Sequence, residues 1–330
     1  MATAFGHQAF IGFAEESTFG TYTAATNFLR IVSENVKPVY GRNPKPSLGS
    51  VGIRQHHAMR QAVEGAITFQ VPVTGAELLF KHALGSLATT GTAAPYAHSI
   101  TVADSLPTGL SFYIDRDQAA IGGSSAFRYS GCQINKLTLT QGPDEFLQCT
   151  IDIVGQKQAL GAAETPTFPQ NSAGTADAVL FDYSDCSGAS CTFAGTTTNI
   201  IDYELTVENN LNTDRYYLGS TTRHGFGRNG QRKITGKCTA EFDSTTFASA
   251  FSDWVSQTGM DHSMLWLNTV DGNNSITCSM LTDNVFFQAG APEAAGPGII
   301  NLPLEFEVFS DPSDTYEDLI ITYANYTASI

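Results

Sequence analysis

Cysteine thiols are the side chains of this 330-residue sequence with the widest range of potential chemistry. Paired at C-x-x-C spacing they bind zinc, and a thiolate activated by a neighbouring histidine is a nucleophile. The six cysteines include no such pair and no cluster of metal ligands: Cys132, Cys149, Cys186, Cys191, Cys238 and Cys278. We therefore predict no metal site. Cys186 and Cys191 are close enough in sequence to form a disulfide, although folding in a cytoplasm does not favour one.

Histidines and carboxylates are the next candidates for catalysis. His56 and His57 are adjacent, and neighbours on a strand point to opposite sides, which makes them a poor metal or catalytic pair. Glu305 and Glu307 lie two residues apart on one strand, whereas the two carboxylates of a glycosidase come from different elements around a pocket. Motifs for phosphate loops, serine nucleophiles and zinc proteases do not occur. The sequence predicts neither an enzyme nor a cofactor.

Charge is strongly unbalanced along the chain. The net charge is −15, which disfavours nucleic-acid binding because such binding needs basic residues to displace counterions from phosphate. Lys and Arg cluster between Arg42 and Arg60 and between Arg215 and Lys237, whereas residues 238–330 contain none of them against 13 Asp and Glu. Segregated opposite charges allow copies of the chain to meet head to tail.

Composition indicates a folded, β-rich protein. Apolar residues make up 42% of the chain and charged residues only 15%, with 30 glycines. No run of 18 apolar residues occurs, and the first residues lack the basic and apolar regions of a signal peptide. We therefore expect no membrane span and assembly in a cytoplasm.

The sequence also contains a repeat, whose first elements recur after about 171 residues and whose later elements follow in the same order at a different spacing. VEGAITFQV (63–71), followed by TGAELLFKHALG (74–85), matches ITGKCTAEF (234–242), followed by STTFASAFSDWV (244–255). FRYSGCQINKL (127–137) matches ITCSMLTDNVF (276–286), and LQCTIDIV (147–154) matches LPLEFEVF (302–309). LGS recurs at 48–50 and 218–220, and Val36 falls opposite Val207. Because the order agrees throughout, we predict an internal duplication, in which Cys132, Cys149 and Cys238 align with apolar residues and are buried thiols.

Each repeat is predicted to be a sheet with one short helix. Residues 63–71 alternate as a strand, and Thr74 begins a helix with Glu77 in capping-box spacing and Gly85 as its end. Its apolar face carries Leu79, Phe80, Ala83 and Leu84, and that of the second helix carries Phe247, Phe251, Trp254 and Val255. Residues 110–114 and 127–132 are strands, and residues 135–140 and 146–154 form a hairpin around the turn at 142–144.

The predicted fold class is therefore mainly β, with two tandem related β-sandwich or barrel domains that each carry one short α-helix. We expect an N-terminal arm at 1–30, a first domain at 31–157, a connector at 158–198 and a second domain with a C-terminal arm at 199–330. The arms, including the strand-like LIITY (319–323), are candidates for adding a strand to a neighbouring subunit.

Four segments carry a resemblance to a known family. GFAEESTFGT (12–21) with FLRIVSENV (28–36), and FDYSD (181–185) with NIIDYELTVENNL (199–211), resemble the major tail tube proteins of long-tailed, siphovirus-like bacteriophages. The resemblance implies a structural virion protein that stacks as rings, trimeric and pseudo-hexameric for duplicated members, into a hollow tube for DNA ejection. It implies contacts with itself and with tape measure, terminator and distal tail proteins, while phage DNA passes without specific binding.

Acidic residues on two matched strands are candidates for the wall of such a tube. In residues 147–154 the odd positions are apolar and Asp152 lies on the wet face, and in residues 302–309 Glu305 and Glu307 do so. The alignment places Asp152 opposite Glu307. The alternative interpretation is an ordinary solvated sheet face.

The two basic segments are candidates for contacts between subunits or rings. Both precede the same strand of the repeat, and the resemblance implies loops that touch a neighbour. The residues are Arg42, Lys45, Arg54, His56, His57 and Arg60 in the first segment, and Arg215, Arg223, His224, Arg228 and Arg232 in the second. The alternative is a pair of solvated loops.

Two other classes of function fit parts of the pattern. Another ring or tube component of a virion or secretion system is one, although such proteins usually have a single domain. An extracellular β-sandwich binding module is the other, and the absence of a predicted signal peptide disfavours it.

Overall fold

A computed structural model of the chain describes residues 3–45, 48, 51–53, 55–117, 125–170, 179–186, 190–243, 251–269, 274–289, 291, 292, 294, 296–310 and 318–328. The fold is mainly β, as predicted, and all pairs of neighbouring strands are antiparallel. No helix within these residues is long and apolar enough to cross a membrane. Arg54 and Phe247 lie outside the described residues, as does the predicted start of the second helix.

Strands supply most of the regular structure. In the first half they are β1 (Phe10–Glu15), β2 (Asn27–Arg30), β3 (Ser33–Glu34), β4 (Lys37–Lys45), β5 (Gln55–Gln70), β6 (Gly85–Thr90), β7 (Tyr96–Val102), β8 (Leu110–Asp115), β9 (Ser125–Gln141), β10 (Gln148–Gly155) and β11 (Lys157–Ala162). In the second half they are β12 (Cys191–Phe193), β13 (Thr196–Thr197), β14 (Ile200–Glu208), β15 (Lys233–Glu241), β16 (Met260–Asn268), β17 (Asn274–Ala289), β18 (Asn301–Val308) and β19 (Ile320–Asn325). The α-helices are α1 (Glu77–Leu84) and α2 (Ser252–Ser256).

Helix α1 confirms one predicted end and corrects the other. It ends at Gly85, whose φ of 132° suits glycine, and the predicted apolar face is fully buried. The predicted capping box is wrong, because Ala76 is the N-cap and makes no side-chain bond. The carboxylate of Glu77 instead accepts a bond from the backbone of Gly75 at 2.7 Å.

Strands pair in the same order in both halves of the chain. The first series is β4-β5-β10-β9-β8-β1-β2, and the second is β14-β15-β18-β17-β16-β12-β13. A further strand adds to the long middle strand of each series: β11 pairs with β9, and β19 with β17. The β6–β7 hairpin belongs only to the first series. Corresponding strands of the two series also occur in the same order along the chain.

The two series join into one sheet system with a common core. Strand β9 pairs with β14, and β7 pairs with β19. Buried apolar residues of both halves form one continuous cluster, and Tyr323 near the end of the chain contacts Phe80 and Phe181 with ring centroids 6.0 and 6.1 Å apart. The halves therefore share apolar packing across their junction.

Strands also occupy the segments expected as arms and connector. β1 lies between β2 and β8 of the same chain, and Ile11 and Phe13 are fully buried. β19 likewise lies between β17 and β7. Because both edges of these two strands are already paired within the chain, neither is available for addition to a neighbour. The expected connector contains β11 and β12, each paired to the half it adjoins.

Candidate functional site

A continuous polar face runs across six neighbouring strands, β5-β10-β9-β14-β15-β18. Side chains alternate along each strand, so one face carries the buried core and the other carries polar residues. Leu137, Ile151 and Leu205 are fully buried on the core side. We call the opposite side of these six strands the polar face. It spans both halves of the chain because β9 and β14 pair directly.

A row of threonines crosses the middle of the polar face. The register aligns, in order, Thr68, Thr150, Thr138, Thr206, Thr235 and Glu307. The hydroxyls of Thr68 and Thr150 lie 3.0 Å apart, and those of Thr138 and Thr206 lie 3.3 Å apart. Cross-strand threonine pairs of this kind stabilise a sheet while presenting a neutral, hydrated surface.

Charged rows flank the threonines. One row reads Asp152, Lys136, Glu208 and Lys233, and the other reads Glu204, Lys237 and Glu305. Ion pairs join Lys136 to Glu208 at 3.4 Å and Lys237 to Glu204 at 3.0 Å. In the three rows together, five carboxylates face three lysines. The polar face is therefore acidic overall, with its cations held beside carboxylates.

The three predicted wall residues all lie on this face, but the residue of the second half that corresponds to Asp152 is not the predicted one. Asp152 is opposite Ala66, and the residue 171 positions beyond Ala66 is Lys237, which is opposite Glu305. Glu307 lies two residues further along, opposite Thr235. In sheet register the counterpart of Asp152 is therefore Glu305. Burial raises the pKa of the Asp152 carboxyl, an effect that the neighbouring Lys136 opposes.

The first basic segment forms a projecting hairpin of β4 and β5. Arg42, Lys45, His56 and His57 are paired along it, Arg60 lies at its register irregularity, and both of its faces are largely exposed beyond Gly41. Arg60 forms an ion pair with Asp214 at 2.7 Å, between two exposed side chains. Apolar residues are exposed on it as well, among them Tyr40 and Met59. The hairpin therefore presents an exposed surface that carries both basic and apolar side chains.

The second basic segment folds back onto the first half instead of projecting. Arg223 is only 4% exposed, and it donates to the carbonyl of Gly155 at 3.2 Å and to Glu64 at 2.8 Å. Arg228 and Arg232 both donate to the carbonyl of Ala103, at 3.0 and 3.1 Å. For these three arginines the expected contact is thus made within the chain.

The other two basic residues of that segment lie at its surface. The backbone N–H of His224 donates to the carbonyl of Arg215 at 3.1 Å, and the ring of His224 lies 4.8 Å from that of Tyr217. This part of the segment also supports the hairpin, because the N–H of Gln61 donates to Thr221 and the Tyr216 hydroxyl donates to Gln61.

Cysteine chemistry is blocked by burial. All six thiols are free, and only Cys186 is not fully buried. Burial raises the pKa of Cys186 and of Cys191 to about 12, so both are protonated at neutral pH. Among the described residues, no three His, Cys, Asp or Glu side chains are grouped as a metal site would require.

A family model described as phage tail tube protein matches residues 6–308 of the 330. The chain belongs to the phage tail tube protein family. No curated protein matches it in a sequence search. Family membership makes this protein a structural component of a virion tail that assembles with copies of itself and with other tail proteins, and not an enzyme.

Sequence reasoning missed most of the polar face of this tail tube protein. The acidic residues of β14 and the lysines of β9 and β15 were visible as alternating polar positions, and β14 lay inside a segment that carried the family resemblance. Their convergence depends on the β9–β14 pairing, which joins residues about 70 positions apart along the chain. No local pattern encodes that register.

Proposed function

We propose that this tail tube protein forms trimeric rings of pseudo-sixfold symmetry that stack into the hollow tube through which phage DNA is ejected. Each chain would contribute two tandem related units, at about residues 10–162 and 191–325, joined by the segment between them. The observation that carries the proposal is the repeated strand order. Six equivalent units close a ring from three chains, as closed cyclic symmetry requires.

The polar face is proposed to line the lumen. A tube that binds phosphate would retain the genome, because each nonspecific protein–DNA contact site has a dissociation constant of about 10⁻⁴ to 10⁻⁶ M and the sites would recur in every ring. Acidic rows repel phosphate over roughly 8 Å at physiological salt. The threonine row offers hydroxyls without positive charge, and each lysine of the rows lies beside a carboxylate.

The β4–β5 hairpin is proposed to contact the next ring. The hairpin projects and its basic residues face solvent. The second half of the chain contains many Asp and Glu residues with which they could form ion pairs. Exposed ion pairs contribute at most about 1 kcal/mol each, so the contact depends on repetition around the ring and on the exposed apolar residues of the hairpin. Ring ends would meet the tape measure, terminator and distal tail proteins, with assembly in the bacterial cytoplasm.

Negative-stain electron microscopy of the purified protein at low and moderate salt tests the proposal. We expect hollow tubes or stacked rings whose end views average with threefold symmetry. A variant with Arg42→Glu, Lys45→Glu and Arg60→Glu should give rings of the same diameter that no longer stack. Persistent monomers of the wild type, with tail initiation proteins added, would contradict ring assembly. Normal stacking of the variant would contradict the role of the hairpin.

A further inference from the structure

The last turns of the two helices differ sharply in exposure. In α1, Ala83 and Leu84 are fully buried. In α2, Val255 is 64% exposed, although it lies on the predicted apolar face and corresponds to Leu84 at the offset of 171. Phe251 and Trp254 on the same helix do pack against the core. The difference therefore lies in what covers the end of the helix.

In the first half, the end of α1 is covered by the second half. The side-chain amide of Asn209 donates to the carbonyl of Ala83 at 2.8 Å, and Arg232 donates to that of Leu84 at 2.7 Å. The same segment reaches the end of β10. Arg223 donates to the carbonyl of Gly155, and Gln156 donates to the carbonyl of Arg223 at 2.6 Å. Residues 209–232 thus cover two sites on the first unit.

The second half has the same two sites, and no described segment of the chain covers them as residues 209–232 cover those of the first unit. Sheet register makes Phe309 the counterpart of Gln156, and the backbone agrees. The N–H of Gln156 donates to the carbonyl of Ser130, and that of Phe309 donates to the carbonyl of Asn284, each just beyond a paired strand. Phe309 is 51% exposed. Two large apolar side chains, Val255 and Phe309, therefore stand uncovered where the first unit is covered.

We propose that the base of the β4–β5 hairpin from a second copy of this chain covers Val255. This inference rests on the proposed ring, in which the junction inside one chain is repeated between chains. In sheet register, the covering residues Asn209 and Arg232 correspond to Tyr40 and Gln61, which pair with each other at the hairpin base. Val39 and Tyr40 are 43% and 56% exposed there and provide the apolar partner.

Charge supports the same occupant. The base of the hairpin carries Lys37, whereas the chain beyond Cys238 has no Lys or Arg and 13 Asp and Glu. A hairpin meeting the second unit of a neighbour therefore brings opposite charges together. The side of the hairpin at Gln61 is already occupied by Thr221 of its own chain, which leaves the β4 side for the neighbour.

Val255→Lys tests the site against a matched control, Ile299→Lys. Both positions are exposed and apolar, and a lysine in the last turn of a helix is favourable, so the fold should persist. We expect Val255→Lys to remain a folded monomer by circular dichroism and sedimentation at concentrations at least tenfold above those at which the wild type and Ile299→Lys form rings. Rings from Val255→Lys at the wild-type concentration would overturn the inference alone. Absence of rings from the wild type would overturn the proposed ring and this inference together.

A second measurement identifies the occupant without relying on loss of assembly. The double variant Tyr40→Cys with Val255→Cys, treated with a short bismaleimide after assembly, should give covalent dimers and trimers on a denaturing gel. Each single variant should remain monomeric under the same treatment, because the native thiols are buried or nearly so. Assembled but uncrosslinked double variant would show that another surface covers Val255.

Discussion

Buried polar side chains hold this fold together at specific points. The carboxylate of Glu16 accepts bonds from the N–H groups of Gly20 and Gly131 at 2.7 and 2.8 Å and from the Ser111 hydroxyl at 2.8 Å. Those bonds join the first strand to two distant parts of its sheet. Arg223 performs the same role between the halves of the chain. Removing one such group leaves its partners buried and unpaired, which costs more than the bond itself contributes.

The buried ring of His262 makes the stability of the protein depend on pH. In the neutral ring, Nδ1–H donates to the Thr192 carbonyl at 3.0 Å and Nε2 accepts from the Tyr203 hydroxyl at 3.1 Å, while the ring stacks on Phe193 at 4.3 Å. Burial lowers the pKa of His262 to about 4, so the unfolded chain binds a proton there that the folded chain does not bind as pH falls below about 6.5. The resulting stability is present at neutral pH and is lost on acidification, by about 2 kcal/mol between pH 7 and pH 5.

The variant His262→Gln isolates that contribution. Urea unfolding at pH 7 and at pH 5 should show the acid-induced loss reduced by about 2 kcal/mol relative to the wild type, since glutamine does not titrate. Other titrating groups change equally in both proteins and cancel in the comparison. An equal loss of stability in the two proteins would show that His262 is accessible to protons in the folded state.

At the scale of elements, the local sequence pattern predicted several strands and helix α1. Alternation identified residues 63–71, because a half-buried strand needs an apolar residue at every second position, and turn residues identified the hairpin around 142–144. The pattern did not separate a free arm from a paired strand: residues 10–15 and 320–325 alternate identically in either case. It also did not reveal how the second basic segment folds, since buried and exposed arginines look alike in sequence.

A glycine repeated in both halves shows how closely the strands pack. Gly65 and Gly236 are 171 residues apart, and a Cβ on Gly236 would overlap the ring of Phe306 on the neighbouring strand. We expect Gly236→Ala to destabilise the protein by about 1–3 kcal/mol, because the buried ring must leave its position in the core. Gly298→Ala serves as the control, since a Cβ there meets nothing within 4 Å. Equal free energies of unfolding for the two variants in urea would show that the Phe306 ring moves freely.

At the scale of the whole molecule, the sequence predicted three acidic residues of the polar face but not the arrangement of charges around them. Net charge and the exposed faces of two strands pointed to Asp152, Glu305 and Glu307, and all three lie on the polar face. The lysines and threonines between them were not predicted to lie on this face, because the pairing of β9 with β14 brings them there. Register between such distant strands depends on the packing of the whole core. The assembled surface is thus a mosaic with an acidic excess, not a uniformly acidic wall.

That mosaic makes the effect of one charge reversal on the proposed lumen measurable. Glu305→Lys would place a lysine directly opposite Lys237 and remove the acidic excess of its row, and the proposed threefold repetition in every ring would multiply the change along the tube. Phage carrying Glu305→Lys should assemble tails of normal length but eject DNA more slowly, with the delay shrinking as salt screens phosphate. Glu145→Lys makes the same change at an exposed turn residue off the polar face and should eject normally. Ejection kinetics from receptor-triggered particles distinguish the two variants, and equal rates at low salt would show that the polar face does not line the path of the DNA.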